Sequence, residues 1–337
     1  MVVSRLASAG LVAAILCCVA CSSPARPAVA TDTAGAAGAG PPPLERLTIP
    51  FSQLAAGNAP LFIAADGGIF ERNGLDVDLV NLGSGQPAQA ALVSGQVDLT
   101  ASSGPSAVNA IASGANVVVV GVITDTLPYQ LIASPDVRSV ADLRGTTLGI
   151  NRLGGLPHVV LRFMLRAGGV DADQDLRVIQ LGEQPERLAA LRTGAIQGTL
   201  VGPPYGTIAE REGLRLLADS AELGLAYPNG VLTMNRDWLR THRDTARRVL
   251  QSLLDAKRAF RTDRELAVRA LQHWLQVDDP TLLADMYDYF SRIAREEALP
   301  RPEGVQRVID EVAAERPEAR SLRPEDVVDT SLAAELR

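Results

Sequence analysis

The order of turns between residues 47 and 100 recurs between residues 147 and 201, and this repeat limits the fold more than any other feature of the chain. Leu47-Thr48-Ile49-Pro50-Phe51 reads as a strand. Gly57-Asn58-Ala59-Pro60 is a turn, and Leu61 to Phe70 a helix broken by Gly67-Gly68. Asp76-Val77-Asp78-Leu79-Val80 alternates as a strand and ends at Leu82-Gly83. Gln86-Pro87 opens a helix that carries Ala90-Ala91-Leu92 and stops at Gly95, and Val97-Asp98-Leu99-Thr100 is the next strand. In the second copy the strand is Thr147-Leu148-Gly149-Ile150, and the turn is Gly154-Gly155-Leu156-Pro157. A helix through Leu161, Met164 and Leu165 then leads to the strand Leu176-Arg177-Val178-Ile179 and Leu181-Gly182. Gln184-Pro185 opens a helix with Ala189-Ala190-Leu191, stopped by Gly194, and residues 195–201 form the closing strand. Ordinary βαβ units share some of this grammar. The common succession Leu-Gly, Gln-Pro, Ala-Ala-Leu, Gly favours two similar α/β lobes, each around a mostly parallel sheet.

From Asn235 onward the pattern turns helical. Asp237 can cap a helix through Trp238, Leu239, Val249, Leu250, Leu253, Leu254 and Phe260, and further helices are expected near 264–276, 280–297 and 302–315. Such a tail packs on one lobe. The expected division is a first lobe of residues 44–127 and 226–337 and a second of residues 128–225, with crossings near 125–131 and 225–231.

The start of the chain bears on its compartment. Arg5 precedes an apolar stretch from Leu6 to Ala20, too short to span a bilayer comfortably and suited to a signal peptide over residues 1–20. All three cysteines, Cys17, Cys18 and Cys21, lie in or at the end of this stretch, so the body has no disulfide or thiolate metal site. Cys18-Val19-Ala20-Cys21 resembles a bacterial lipobox in which Cys21 would be lipidated, with Cys18 where leucine is usual. Residues 21–43, rich in Ala, Pro, Gly, Ser and Thr, cannot bury a core and read as a disordered tether. A net charge of −7 argues against a nucleic-acid partner. The expected location is the cell envelope, in the periplasm or on the outer face of the membrane.

Four stretches carry a family resemblance: residues 59–75 from Ala59-Pro60-Leu61 to Asn73-Gly74-Leu75; Ala90-Ala91-Leu92-Val93-Ser94-Gly95-Gln96-Val97-Asp98; residues 139–149 around Asp142-Leu143-Arg144-Gly145; and Ala189-Ala190-Leu191-Arg192-Thr193-Gly194, followed by Gly202-Pro203-Pro204. In these the chain resembles the nitrate/sulfonate/taurine-type solute-binding proteins of bacterial ABC importers. Gln197, where Asp is frequent, and the second proline of Pro203-Pro204 depart from the pattern. The resemblance implies a two-lobed periplasmic-binding-protein type II fold with the helical C-terminal tail on the first lobe. It also implies a small-molecule ligand captured by lobe closure, and delivery to a membrane permease. A monomer without cofactor is expected.

Helices that follow parallel strands start at the carboxyl edge of a sheet, where ligands bind. Pro60, Pro87, Pro105, Pro157, Pro185 and Pro204 sit at such starts, and several helix N-termini aimed at one cleft suit an anion or a carbonyl-like group. The expected contacts are Ser52, Gln53, Asn58, Ser84, Gly85, Ser102 and Ser103 from the first lobe. From the second they are Arg152, Gly154, Gly155, Glu183 and Tyr205, with Thr124 and Asp125 at the first crossing. Ligand charge stays open: Arg152 suits a nitrate, sulfonate or carboxylate, and Asp125 and Glu183 suit an amine. Enzymes share this fold, so catalysis remains the alternative, together with ligand sensing. His158, His242 and His273 form no catalytic triad order or metal-ligand spacing, and a binding protein is the expectation.

Overall fold

The computed structural model describes residues 43–52, 54–151, 153 and 156–336. The leader, Cys21, the tether up to residue 42, and the expected contacts Gln53, Arg152, Gly154 and Gly155 lie outside the described residues. Among the described residues ten strands form: β1 (Glu45–Phe51), β2 (Leu75–Asn81), β3 (Leu99–Ser102), β4 (Val117–Thr124), β5 (Gln130–Ala133), β6 (Thr147–Ile150), β7 (Arg177–Gln180), β8 (Gly198–Val201), β9 (Arg215–Asp219) and β10 (Gly230–Asn235). They make two five-stranded sheets, ordered β2-β1-β3-β10-β4 and β7-β6-β8-β5-β9. The two orders are the same once each strand is matched to its repeat.

Within each sheet four strands run one way and one runs against them. β1 pairs parallel with β2 and β3, while β10 is antiparallel to both β3 and β4. β6 pairs parallel with β7 and β8, while β5 is antiparallel to β8 and β9. The reversed strand is in each case the one that arrives from the other sheet. β4 leads into β5 through residues 125–129, and β9 leads into β10 through residues 220–229.

The helices that matter for the site are α1 (Ala59–Asp66), α2 (Gly85–Val93), α3 (Gly104–Ala112), α4 (Leu156–Ala167), α5 (Gln184–Arg192) and α6 (Tyr205–Arg211). The tail adds α7 (Arg243–Thr262), α8 (Arg264–Leu275), α9 (Pro280–Ile293) and α10 (Pro302–Glu315). α7 and α8 pack on α1, and α10 packs on α3, so the tail covers the first lobe. The anchor is aromatic: Phe62 of α1 stacks on Trp274 of α8 at 4.8 Å and meets Phe51 of β1 edge-on at 5.7 Å. The tail also reaches the second lobe, where Asp285 of α9 pairs with Arg211 of α6, and Tyr289 donates to Asp219 at 3.1 Å.

Two local departures from the sequence reading have visible causes. The helix expected through Trp238 and Phe260 breaks at His242, where the backbone leaves the helical region (φ −120°, ψ 41°). Thr241 Oγ1 bonds back to the carbonyls of Asp237 and Trp238 in the last turn before the break. β8 starts at Gly198 rather than near Ala195 because the N–H groups of Ala195 and Ile196 are held by the Ala190 carbonyl at the end of α5.

Candidate functional site

The carboxyl edge of the first sheet gathers most of the first-lobe residues. Ser52 follows β1 and its N–H bonds Ala101 O of β3 at 3.1 Å. Asn58 is buried just ahead of α1, and Gly57 O accepts from Thr124 Oγ1 at 2.5 Å. Ser84 and Ser103 are the residues before α2 and α3. Ser103 accepts from Ser106 N–H, as an N-cap should. Gly85 sits close to these hydroxyls: a Cβ there would stand 2.9 Å from Ser103 Oγ and nearer still to Ser106 Oγ, so both serine side chains would have to turn away. Ser102 is buried, and its hydroxyl donates to Gln89 Oε1 at 3.0 Å.

The second edge repeats the plan with different side chains. Glu183 is exposed and caps α5 through a capping box with Glu186. Gln184 Oε1 accepts from Gly202 N–H at 2.6 Å, joining the start of α5 to the end of β8. Tyr205 opens α6 and packs partly against the small core of Leu188, Leu191 and Val201.

Sequence reasoning passed over Arg187. It is buried on α5 and donates to Thr199 Oγ1, Gly182 O and Leu200 O, tying helix to sheet at this edge. Burial holds its guanidinium below the usual value. An i, i+3 position inside a helix gives no sequence cue to such a role.

Asp125 has a different setting from the serines. Its carboxylate accepts from Arg301 Nε at 2.8 Å, and its carbonyl accepts from Arg301 Nη2 at 3.2 Å. Oδ1 is buried without a hydrogen-bond partner among the described residues, and burial raises the Asp125 pKa against the pull of Arg301. Lys257, the only lysine of the chain, lies beside it, donates to Glu297 O at 2.8 Å, and is pushed down to about 8 by burial. A cavity of about 40 Å³ separates this pair from Gly57 and Pro60. This cluster fastens the first crossing to the tail, so Asp125 is already committed to Arg301.

A cavity of about 1170 Å³ lies between the lobes. Gln86, Gln89, Ser106 and Asn109 of α2 and α3 line one side, and Leu156, Val159 and Phe163 of α4 the other. Leu127, Leu225 and Tyr227 of the crossings and α10 complete it. None of the expected contacts among the described residues lines this cavity; Gln89 and Ser106, which do, are the hydrogen-bond partners of Ser102 and Ser103. On the other side of the crossings, a cavity of about 1140 Å³ is lined by charged groups. Two of its arginines are paired within it, Arg261 to Glu296 and Arg295 to Glu297.

The three histidines are scattered. His158 lies in the first turn of α4, with its pKa lowered chiefly by burial. His242 stacks on Trp238, and His273 bonds Asp66 at 2.9 Å, both in the tail.

Two matching sheets, joined by two crossings and each holding one reversed strand that follows directly on a crossing, define a two-lobed periplasmic-binding-protein architecture. The chain belongs to the NMT1-like family, which it matches over residues 40–273. It is 27% identical to the nitrate/nitrite binding protein NrtA of a Nostoc species over 123 residues, 36% of this chain and 28% of that protein. It is 28% identical to the nitrate import ATP-binding protein NrtC of a Synechocystis species over 225 residues, 59% of this chain and 32% of that protein. The chain thus spans less than a third of either relative's length. The periplasmic aliphatic sulphonate binding protein SsuA of Escherichia coli has the same fold, with 20% identity and a TM-score of 0.66 over 85% of this chain and 92% of that one.

Proposed function

We propose that this protein is an extracytoplasmic solute-binding lipoprotein that captures a small molecule between its lobes and delivers it to the permease of an ABC importer. The observation that carries the reading is the pairing of two sheet edges. Helices α2 and α3 on one side and α5 and α6 on the other start at the carboxyl ends of parallel strands, and two crossings join the lobes. Residues 44–127 with 226–337 act as one body and 128–225 as the other, bending at the crossings. Family membership and the names of the relatives, which concern nitrate, support transport over catalysis. Nitrate, sulfonates and taurine are the first ligand classes to try.

Closure follows from contacts that exist only when both edges meet the ligand, so that ligand shifts the population to the closed form. Ser52, Ser84, Gly85 and Ser103 on one edge, and Glu183 and Tyr205 on the other, lie outside the lining of the open cavity and reach the ligand only on closure. Lipidation of Cys21 holds the body at the membrane by the tether. A ligand at a hundredfold excess over its dissociation constant raises stability by about 2.7 kcal/mol. A thermal-shift screen of the full-length Cys21→Ser protein therefore finds the ligand. The hit should be weakened by Ser84→Trp and by Glu183→Trp, one on each wall. Binding that responds to only one wall contradicts capture between lobes, and turnover of the ligand replaces the reading with an enzyme.

A further inference from the structure

The cavity between the lobes has a chemistry of its own, and it narrows the ligand. We propose that it takes an uncharged organic molecule with an apolar body and a hydrogen-bond acceptor, and that Gln89 reads the acceptor. This deepens the solute-binding reading and rests on it.

The first observation is an unmatched donor. Gln89 is 4% exposed, lines the cavity, and uses Oε1 to accept from Ser102. Its Nε2 is buried with no partner among the described residues. A buried N–H left unpaired is costly, and a carbonyl oxygen brought in by a ligand would satisfy it. Arg316 also lines the cavity, and its Nε is a second buried N–H without a partner among the described residues. As oriented, both N–H groups call for an acceptor.

The second observation is the opposite wall. Val159 is 50% exposed and Phe163 40% exposed, and with Leu156 they present an apolar strip on α4 facing the polar side chains of α2 and α3. Large apolar side chains left in water across a cavity gain by covering an apolar ligand surface. A nitrate ion has none to offer.

The third observation is charge. The charged residues of the cavity are Arg307 and Arg316 against Asp310, Glu311 and Glu315, so the acids outnumber the arginines among the described residues. Arg307 is engaged by Ala226 O at 2.9 Å, and Glu311 accepts from Tyr227 at 2.6 Å. An anion drawn in here meets Arg316 but also the three carboxylates of Asp310, Glu311 and Glu315, a repulsion that a neutral acceptor escapes. An uncharged carbonyl also loses far less on leaving water, and Gln89 is a neutral match for it.

The test uses three probes that share one ring, N,N-dimethylbenzamide, benzoate and benzylamine, together with sodium nitrate. Dissociation constants are measured by ligand-observed NMR on the full-length Cys21→Ser protein, with solution scattering of the same samples. N,N-Dimethylbenzamide is expected to bind at least tenfold tighter than the other three. Gln89→Leu should weaken it by roughly tenfold, the loss of about one buried hydrogen bond. Phe163→Ser, at a half-exposed position that the fold tolerates, should weaken it several-fold. Tighter binding of benzoate, benzylamine or nitrate overturns the inference while leaving solute capture standing, as does unchanged amide binding in Gln89→Leu. Failure of all four probes to bind also overturns it. Amide binding that needs Gln89 but leaves the radius of gyration unchanged supports the inference and contradicts capture by closure.

Discussion

Replacing Arg301 by methionine should destabilise the protein in a way that acid partly repairs. Arg301 makes two hydrogen bonds to Asp125, one to the carboxylate at 2.8 Å and one to the carbonyl at 3.2 Å. The side chains are 24% and 3% exposed, so the arginine is screened by water and the acid is not. Methionine keeps the bulk and strands a buried carboxylate, one of whose oxygens already lacks a partner among the described residues. Removing one member of a buried pair costs about 3–5 kcal/mol, and the partial exposure of Arg301 puts this case near 3 kcal/mol. At roughly 2 °C per kcal/mol for a chain of this size, the melting temperature should fall by about 6 °C. The sign with pH follows from Asp125, whose pKa is already raised in the fold by burial and is held back by Arg301. A carboxyl with a raised folded pKa binds its proton more tightly in the folded state, so it adds stability as pH falls through that pKa. Without Arg301 the pKa rises further, and the deficit seen near neutral pH should shrink in mild acid. Urea denaturation at both conditions measures it, and Asp125→Asn in the Arg301→Met background should recover part of the loss. A deficit below about 1 kcal/mol, or one equal at both pH values, would refute the reasoning.

Three further outcomes are expected. Gly104→Ala should cost about 1–3 kcal/mol in calorimetry, because its Cβ would press into the Pro228 carbonyl to which the Gly104 N–H is bonded at 3.1 Å. Lys257 has a folded pKa lowered from 10.5 to about 8, so its neutral form is favoured in the fold and it adds stability as pH climbs between these values. Over that window the wild type should gain on Lys257→Met in urea denaturation, and a constant difference would count against the buried amine. Mass spectrometry of membrane-extracted protein should show an acylated peptide beginning at Cys21; an unmodified peptide spanning Ala20 to Ser23 would rule out the anchor.

The sheets were legible where sequence order carries them. β1 to β3 and β6 to β8 each sit in a repeated run of strand, turn, Pro-led helix and glycine stop, and local chemistry sets all of these. The strands that close each sheet are not local in this sense. β5 and β10 lie antiparallel between strands distant in sequence, and only the sheet shows why Leu232 faces both Ala101 and Gly121. At the edges, Ser103 and Glu183 were readable because a cap residue before a helix is a local signal. Gln89 was not, since it sits inside α2 and its role depends on Ser102 below it and on α4 across the cavity. Asp125 was read from its position at the crossing; its bond to Arg301, 176 residues away, gave no local signal.

Lobe closure is the claim on which capture depends, and solution scattering tests it most directly. The radius of gyration of the full-length Cys21→Ser protein should fall when the ligand found by thermal shift is added at saturation. The same ligand should leave it unchanged in Ser84→Trp, where a bulky side chain on one edge keeps the lobes apart. A tightly bound ligand that leaves the wild-type radius of gyration unaltered would contradict the account.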